Sequence, residues 1–379
     1  MATAGEVLAV IRAHREITRA EIGQLTGLSR TAVSARVAAL TGSGLVIESE
    51  QAPSTGGRPA TLLSFNAVAG VVLAVAIGRS RTRLAVCDLT GEILELTDID
   101  QHLELGPDDL MRDVVKRLDA LLAGRPDSRV YGVGISLPGT VDRSRGASLA
   151  APILPGWDGV ELAGYLRELT DAPVAVDNDV NVIAMAEHHA KAVDDMLVLK
   201  ASTGIGAGII AGGALQRGAV QAAGELGHNK TPAAAGLVCR CGDTGCLEAI
   251  AGGWALVAAL RGGGKDVSHV RDVVTRAHDG DADARRMVRD SGRHIGEVVA
   301  AAVNLLNPAV LVIAGDMAGA YDIFVAGLRE TLYGNATALA TRTLQVLPST
   351  YRATSGVTGC AVMILDQVLD PRLVDVTIG

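Results

Sequence analysis

Apolar positions along the chain follow two different periods, and the change falls near residue 66. In the first stretch Val7, Leu8, Ile11 and His14 recur at helical spacing and predict an amphipathic helix. Thr18-Arg-Ala-Glu21 has the form of a capping box and predicts a second, short helix over residues 19–26, stopped by Gly27. Ser29 is placed to cap a third helix that reaches about Thr41. At about 100° per residue, Val33, Val37 and Leu40 share one face of that helix and should pack inward. Thr31, Ser34, Ala35 and Ala38 share the opposite face, with Arg30 and Arg36 flanking the two. Leu45-Val-Ile47 and Thr61-Leu-Leu-Ser-Phe65 then read as short strands around a Gly- and Pro-rich loop, APSTGGRPA. Residues 1–66 are therefore expected to form a winged helix-turn-helix.

From Gly70 the pattern becomes a series of apolar runs broken by turns: VVLAVAIG, RLAVCDLTGEIL, VYGVGISLPG, APVAVDND, DMLVLKAS and AVLVIAGD. Helical stretches alternate with them, which predicts an α/β body with sheets of mixed direction. Twice a strand is followed by a Gly-rich turn, near Gly78 and near Gly204.

Composition narrows the functional classes. A 379-residue chain is long for one domain, and two or three units are expected. With 49% hydrophobic but only 2% aromatic residues, the cores must be aliphatic, as suits parallel sheets covered by helices. A net charge of −8 excludes nucleic-acid binding by the whole surface, so any DNA contact must be a local patch. Residues 1–66 carry six arginines against five acids, which leaves open a helical protein-interaction domain. The third helix decides for DNA: Thr31 and Ser34 can approach base edges while Arg30 and Arg36 hold phosphates. Arg58, at the tip of the wing, is placed for the minor groove. The N-terminus lacks the basic and apolar regions of a signal peptide, and no eighteen-residue apolar run occurs. Five cysteines, three of them clustered, fit a reducing cytoplasm; Cys87 and Cys360 read as core residues.

The cluster is the sharpest chemical signal. His228 precedes Cys239-x-Cys241-x4-Cys246 by ten residues, a Cys3His set of the kind that holds structural zinc. Buried core thiols or a disulfide pair are the alternatives, and the close spacing with an upstream histidine argues against both. Glu225 and Glu248 lie at the two ends of the same segment. Asp177-Asn-Asp179-Val-Asn181 follows a predicted strand, so its polar groups lie at a strand's carboxyl end; ligand site and helix cap both suit such a run.

GELGH followed by CxCGxxGCLE resembles the ROK family (repressor, open reading frame, kinase), which joins sugar kinases to sugar-responsive repressors, and the likeness runs over nearly the whole chain. The resemblance implies a two-lobed α/β actin-like ATPase (sugar kinase-like) fold over residues 67–379. Lobe one would span about 67–186 plus a C-terminal helix at 356–370, and lobe two about 187–355. It also implies that His228 serves both zinc and sugar, and that Asn178, Asp179, Glu225 and Glu248 contact sugar hydroxyls, Asp179 being the base in a kinase. Gly134-Ile-Ser-Leu-Pro138-Gly139 resembles the family's loop beside the sugar, and Trp157 lies where the family has PNxxGW, with Ile153 replacing the asparagine.

Kinases of the family carry DxGGT in the first phosphate hairpin; here the run is Ala76-Ile77-Gly78-Arg79-Ser80, without the carboxylate and with arginine for the second glycine. The adenosine-side turn reads Ala314-Gly315-Asp316, and only Thr203-Gly-Ile-Gly206 keeps the family form. The expectation is a sugar-responsive DNA-binding repressor of carbohydrate genes, zinc-stabilised, homodimeric or a dimer of dimers, and without kinase activity. The alternatives are a bifunctional ATP-dependent sugar kinase with a DNA-binding domain, and a regulator whose cleft takes a non-sugar effector, for which Ile153 speaks.

Overall fold

A computed structural model describes residues 2–49, 61–100, 106–149 and 156–378. At the N-terminus, α1 (Ala4–Arg12) opens on a capping box between Thr3 and Glu6. After β1 (Ile17–Thr18), α2 (Arg19–Thr26) opens on the Thr18–Glu21 box and stops at Gly27, whose φ of 69° glycine adopts without strain. The Ser29 side chain accepts from Ala32 N at the start of α3 (Arg30–Gly42). Val33, Val37 and Leu40 bury against Val7, Leu8, Ile11 and Ile22, as the helical period requires. Strands β2 (Val46–Ser49) and β3 (Leu62–Phe65) pair antiparallel, and β1 joins on the other side of β3. His14 lies beyond the end of α1 rather than on it, its Nδ1 2.7 Å from the Val10 carbonyl. The wing tip, with Arg58, lies outside the described residues.

The body holds two five-stranded sheets built on one plan. In the first, β4 (Val71–Ile77), β5 (Arg81–Asp88), β6 (Ile93–Asp100), β7 (Val130–Leu137) and β10 (Val174–Asn178) lie in the order β10-β7-β4-β5-β6. Between them come α4 (Pro107–Leu122) and a small hairpin, β8 (Thr140–Asp142) with β9 (Ala147–Leu149). Helix α5 (Asp179–Lys191) leads to the second sheet. That sheet runs β11 (Met196–Ala201), β12 (Ile205–Ala211), β13 (Ala214–Gln216), β14 (Val310–Ala314) and β15 (Gln345–Pro348), in the order β13-β12-β11-β14-β15. Each sheet has three parallel strands and an antiparallel edge, and each turns its antiparallel hairpin with glycine, at Gly78 and at Gly204. The second sheet's helical layer is α6 (Glu248–Ala251), α7 (Gly253–Gly262), α8 (Val270–His278), α9 (Ala282–Leu306), α10 (Tyr321–Asn335) and α11 (Ala338–Thr341). Its core is aliphatic, with Phe324 as its fully buried aromatic side chain.

The C-terminal segment is two helices: α12 (Ser355–Val368) lies where a helix at 356–370 is expected, and α13 (Pro371–Ile378) follows it without having been expected. The break falls at Leu369-Asp370-Pro371, where proline cannot continue a helix. Helix α12 lies directly on the first sheet and on α5: a Cβ at Gly134 would come 2.1 Å from the Cys360 carbonyl oxygen, and one at Gly359 2.0 Å from that of Val182. Cys360 and Cys87 are both buried in this layer, as expected. Helix α13 turns back onto α1, where Gly5 N donates to Asp375 Oδ1 at 2.8 Å and a Cβ on Gly5 would strike the Pro371 carbonyl. No helix among the described residues is long and apolar enough to cross a membrane.

This packing makes Gly134→Val destabilising by about 1–3 kcal/mol, because its neighbour is backbone and cannot yield. Gly164→Ala, where a Cβ meets open space, should stay within about 0.5 kcal/mol. Thermal melts of the two variants check both.

Candidate functional site

A cavity of about 1000 Å³ opens between the two sheets, walled by the turns of both hairpins, the Pro138-Gly139 loop and the start of α5. The polar residues singled out in the body meet in its wall. Asn178 caps α5: its Oδ1 accepts from Val180 N at 2.8 Å, and its Nδ2 donates to the Gly139 carbonyl at 2.8 Å. The amide therefore joins the loop to the helix, and the cap alternative describes what it does within the chain. Asp179, the first residue of α5, faces Lys200 of β11 in an ion pair.

Glu225 and Glu248 approach from the other side. Burial raises the pKa of Glu225; His228 opposes the rise, while the nearby Asp179 and Glu248 carboxylates add to it. Three acids thus lie within one another's field in the wall of the cavity. Glu248 is 5% exposed and rigidly held, Oε2 accepting from Ile205 N at 2.8 Å and Oε1 from Trp254 Nε1 at 3.1 Å. Its fit depends on Gly204, where a Cβ would come 2.7 Å from Oε2.

His228 stands between this acid set and the thiols. Its Nε2 lies 3.6 Å from Glu225 Oε2 and its Nδ1 3.8 Å from Cys239 Sγ. The ligand atoms of His228, Cys239, Cys241 and Cys246 all lie within 4.8 Å of one another. Three sulfurs and one nitrogen at mutual reach suit a tetrahedral metal ion. Burial pushes the Cys239 thiol up to about 12, and a cation among the four ligand atoms would favour the thiolate instead.

The ROK family profile matches residues 72–367, more than half of the sequence. The chain belongs to the ROK family. A winged helix-turn-helix DNA-binding profile matches residues 2–47. The xylose repressor of Bacillus subtilis is 27% identical, with 93% of this chain and 92% of that protein covered. Among solved structures, a ROK family transcriptional regulator described as a homolog of the E. coli MLC protein matches with a TM-score of 0.81. It is 26% identical, and the match covers 99% of this chain and 98% of that one. A ROK glucokinase from Streptomyces griseus, solved with glucose and AMPPNP, matches at TM-score 0.65 and 28% identity over 78% of this chain and 99% of its own. The two-lobed fold expected from the ROK resemblance is thus the fold observed.

In this ROK body the first hairpin turns through Gly78, Arg79 and Ser80, and Gly78 N donates to the Arg81 carbonyl. Arg79 Nε and Nη1 are buried without a partner among the described residues, and burial lowers the guanidinium to about 10. Gly315 turns at a φ of 86° after β14, and Asp316 accepts a hydrogen bond from the Ser202 hydroxyl across to the second hairpin. In the head, Arg30, Thr31 and Ser34 are exposed along the outer face of α3, whereas Arg36 is half-buried, its Nε 3.4 Å from the Ala2 carbonyl. Arg58 and Ile153 lie outside the described residues. Trp157 is a core residue of the first lobe, 2% exposed.

Lys200 and Trp254 escaped sequence reasoning. Lys200 stands on an apolar strand and Trp254 six residues after Glu248, and neither spacing carries a signal. Trp254 also gives the cleft a reporter. A ligand that engages Glu248 should alter tryptophan fluorescence in the wild type and in Trp157→Phe. The change should vanish in Trp254→Phe, which a titration of the three proteins would measure.

Proposed function

We propose that this ROK chain is a sugar-responsive transcriptional repressor of carbohydrate genes, zinc-bound, homodimeric, cytoplasmic and without kinase activity. The observation that carries the reading is the convergence of Asp179, Glu225 and Glu248 with His228 in the cleft of a body whose α13 grips a winged helix-turn-helix. Carboxylates at fixed spacing select hydroxyl patterns, and the Asn178 amide, which gives one N–H to the Gly139 carbonyl, carries a second beside them. In this reading the division falls at residues 1–66 for the head and 67–379 for the sensor, whose first lobe includes α12.

Zinc suits the Cys3His set, with His228, Cys239, Cys241 and Cys246 as ligands. Its part is structural: it supplies charge that keeps the thiolates ionised and the segment folded. The resemblance of the cleft to kinases extends to Asp179, but Lys200 already occupies that carboxylate. With Ala76 where the kinases keep an acid, and Arg79 filling the hairpin, Asp179 acts as a hydroxyl acceptor rather than a base. Kinship with a xylose repressor and with a ROK transcriptional regulator supports the repressor side.

On DNA, Arg30 and Arg36 hold phosphates while Thr31 and Ser34 face the bases, Arg58 reaching the minor groove. A dimer presents two such heads to a palindromic operator. Sugar binding shifts operator affinity only as far as it favours one lobe arrangement over the other.

The test is to select an operator from random duplex DNA and titrate it by fluorescence anisotropy against a panel of pentoses, hexoses and amino sugars, with and without Mg-ATP. One sugar should change operator affinity, ATP should not, and no phosphorylated product should form. ATP-dependent product would make the chain an enzyme. In the same assay Arg30→Ala should weaken operator and random DNA alike and lower the salt slope by about 1. Metal analysis should find one zinc per chain, lost in Cys241→Ser together with thermal stability.

A further inference from the structure

We infer that the effector of this cleft is an anionic sugar, a sugar phosphate or a sugar acid, whose charged group is held by Arg79 beside Glu248. The inference rests on the sugar-sensor reading above and names the class of sugar.

The charges around the cleft motivate it. Asp179 is matched by Lys200, and Glu225 lies against His228. On the remaining side two guanidiniums, Arg79 and Arg240, repel each other, and both feel the single carboxylate of Glu248. Glu248 turns its oxygens to Ile205 N and Trp254 Nε1, so neither arginine is its hydrogen-bond partner. Arg240 is fixed by stacking, its Cζ 4.7 Å from the centroid of the Trp254 ring. Arg79 has no such support. It lines the cavity, and its Nε and Nη1 are buried without a partner among the described residues.

A buried guanidinium with unmade hydrogen bonds is costly, and chains retain one where something else completes it. The group that suits it is a planar or tetrahedral oxyanion, which accepts from several N–H donors at once. The position is also right for a sugar derivative. Arg79 sits in the hairpin that faces the hydroxyl-binding acids, close enough to Glu248 to feel its charge. A ring gripped by Asp179, Glu225 and Glu248 would therefore carry its phosphate or carboxylate into the Arg79 corner. There an anion replaces like-charge repulsion between Arg79 and Arg240 with attraction to both. A neutral sugar fills the same ring site but leaves the guanidinium unpaired. Arg79 is thus a specificity residue, and its bulk accounts for the loss of the second glycine in the hairpin.

The experiment is calorimetry on the full-length metal-loaded protein with matched probes: glucose, xylose and N-acetylglucosamine, then glucose 6-phosphate, N-acetylglucosamine 6-phosphate and glucuronate, with inorganic phosphate and Mg-ATP as further arms. The wild type should bind a charged sugar at least about tenfold more tightly than its neutral parent. The phosphate and uronate arms tell which acid is read. In Arg79→Gln that preference should fall to within about threefold while the affinity for the neutral parent holds. Arg79→Lys, which keeps the charge without the fork, should be intermediate. Melting curves report whether each variant folds, and the matched-probe comparison in the wild type decides the point if one does not. Neutral sugars binding as well as their acids, a preference that survives Arg79→Gln, or Mg-ATP binding more tightly than any sugar acid would overturn the inference while leaving the sugar-sensor reading standing. If no sugar of either kind binds or alters operator affinity, both fall together.

Discussion

The imidazole of His228 is the point on which the site turns. One nitrogen faces the thiols and the other faces Glu225, so the ring cannot reorient for one neighbour without disturbing the other. The segment it opens closes at Glu248, two residues after Cys246, and that carboxylate is tied to Ile205 N and Trp254. The cluster thereby spaces two of the three acids that line the cleft. If the proposed zinc occupies it, the metal fixes the ring and the ring's outer nitrogen orients the acid, the arrangement by which outer partners of metal ligands are usually held. Apart from the cluster the loop is held by short-range backbone bonds, such as Thr231 N to the Gly245 carbonyl and Leu247 N to the Asn229 carbonyl, and its strand pairing is confined to isolated bridges, such as Lys230 with Cys246 and Val238 with Thr244.

A continuous path leads from the cleft to the head. The first residues of α12 line the cavity. The helix then crosses the first sheet at Gly134 and α5 at Gly359, where backbone meets backbone and there is no slack to absorb a shift. After two intervening residues α13 begins, and α13 clasps α1 through Gly5 and Asp375. Movement of one lobe can thus reach the recognition helix through packed backbone. Spatial continuity supplies the means, and the energy must come from the effector's preference for one arrangement.

The elements set by local chemistry were legible in the sequence. Thr18 with Glu21, Gly27 and Ser29 mark the limits of the helix-turn-helix because capping and left-handed turns involve residues only a few positions apart. The Cys3His spacing was legible for the same reason. Features that depend on distant partners were not. Nothing near residue 371 announces a helix that docks on residue 5, and nothing near residue 200 announces a cation for Asp179. Asn178 was read as a ligand group from its resemblance to a family motif, while its place before an acidic helix start already fitted a cap, and both ends of its amide serve the chain. Arg79 was read as a lost glycine; that two of its guanidinium nitrogens are buried and, among the described residues, unpaired needed the structure.

The central claim is that the metal cluster and the sugar site are one device, and the most direct test is sugar affinity measured by calorimetry before and after metal removal. The account predicts that stripping the metal from folded protein weakens the sugar by about tenfold or more, and that restoring zinc restores it. Unchanged sugar affinity in folded, metal-free protein would contradict it, leaving the cluster a remote staple and His228 two residues' worth of coincidence.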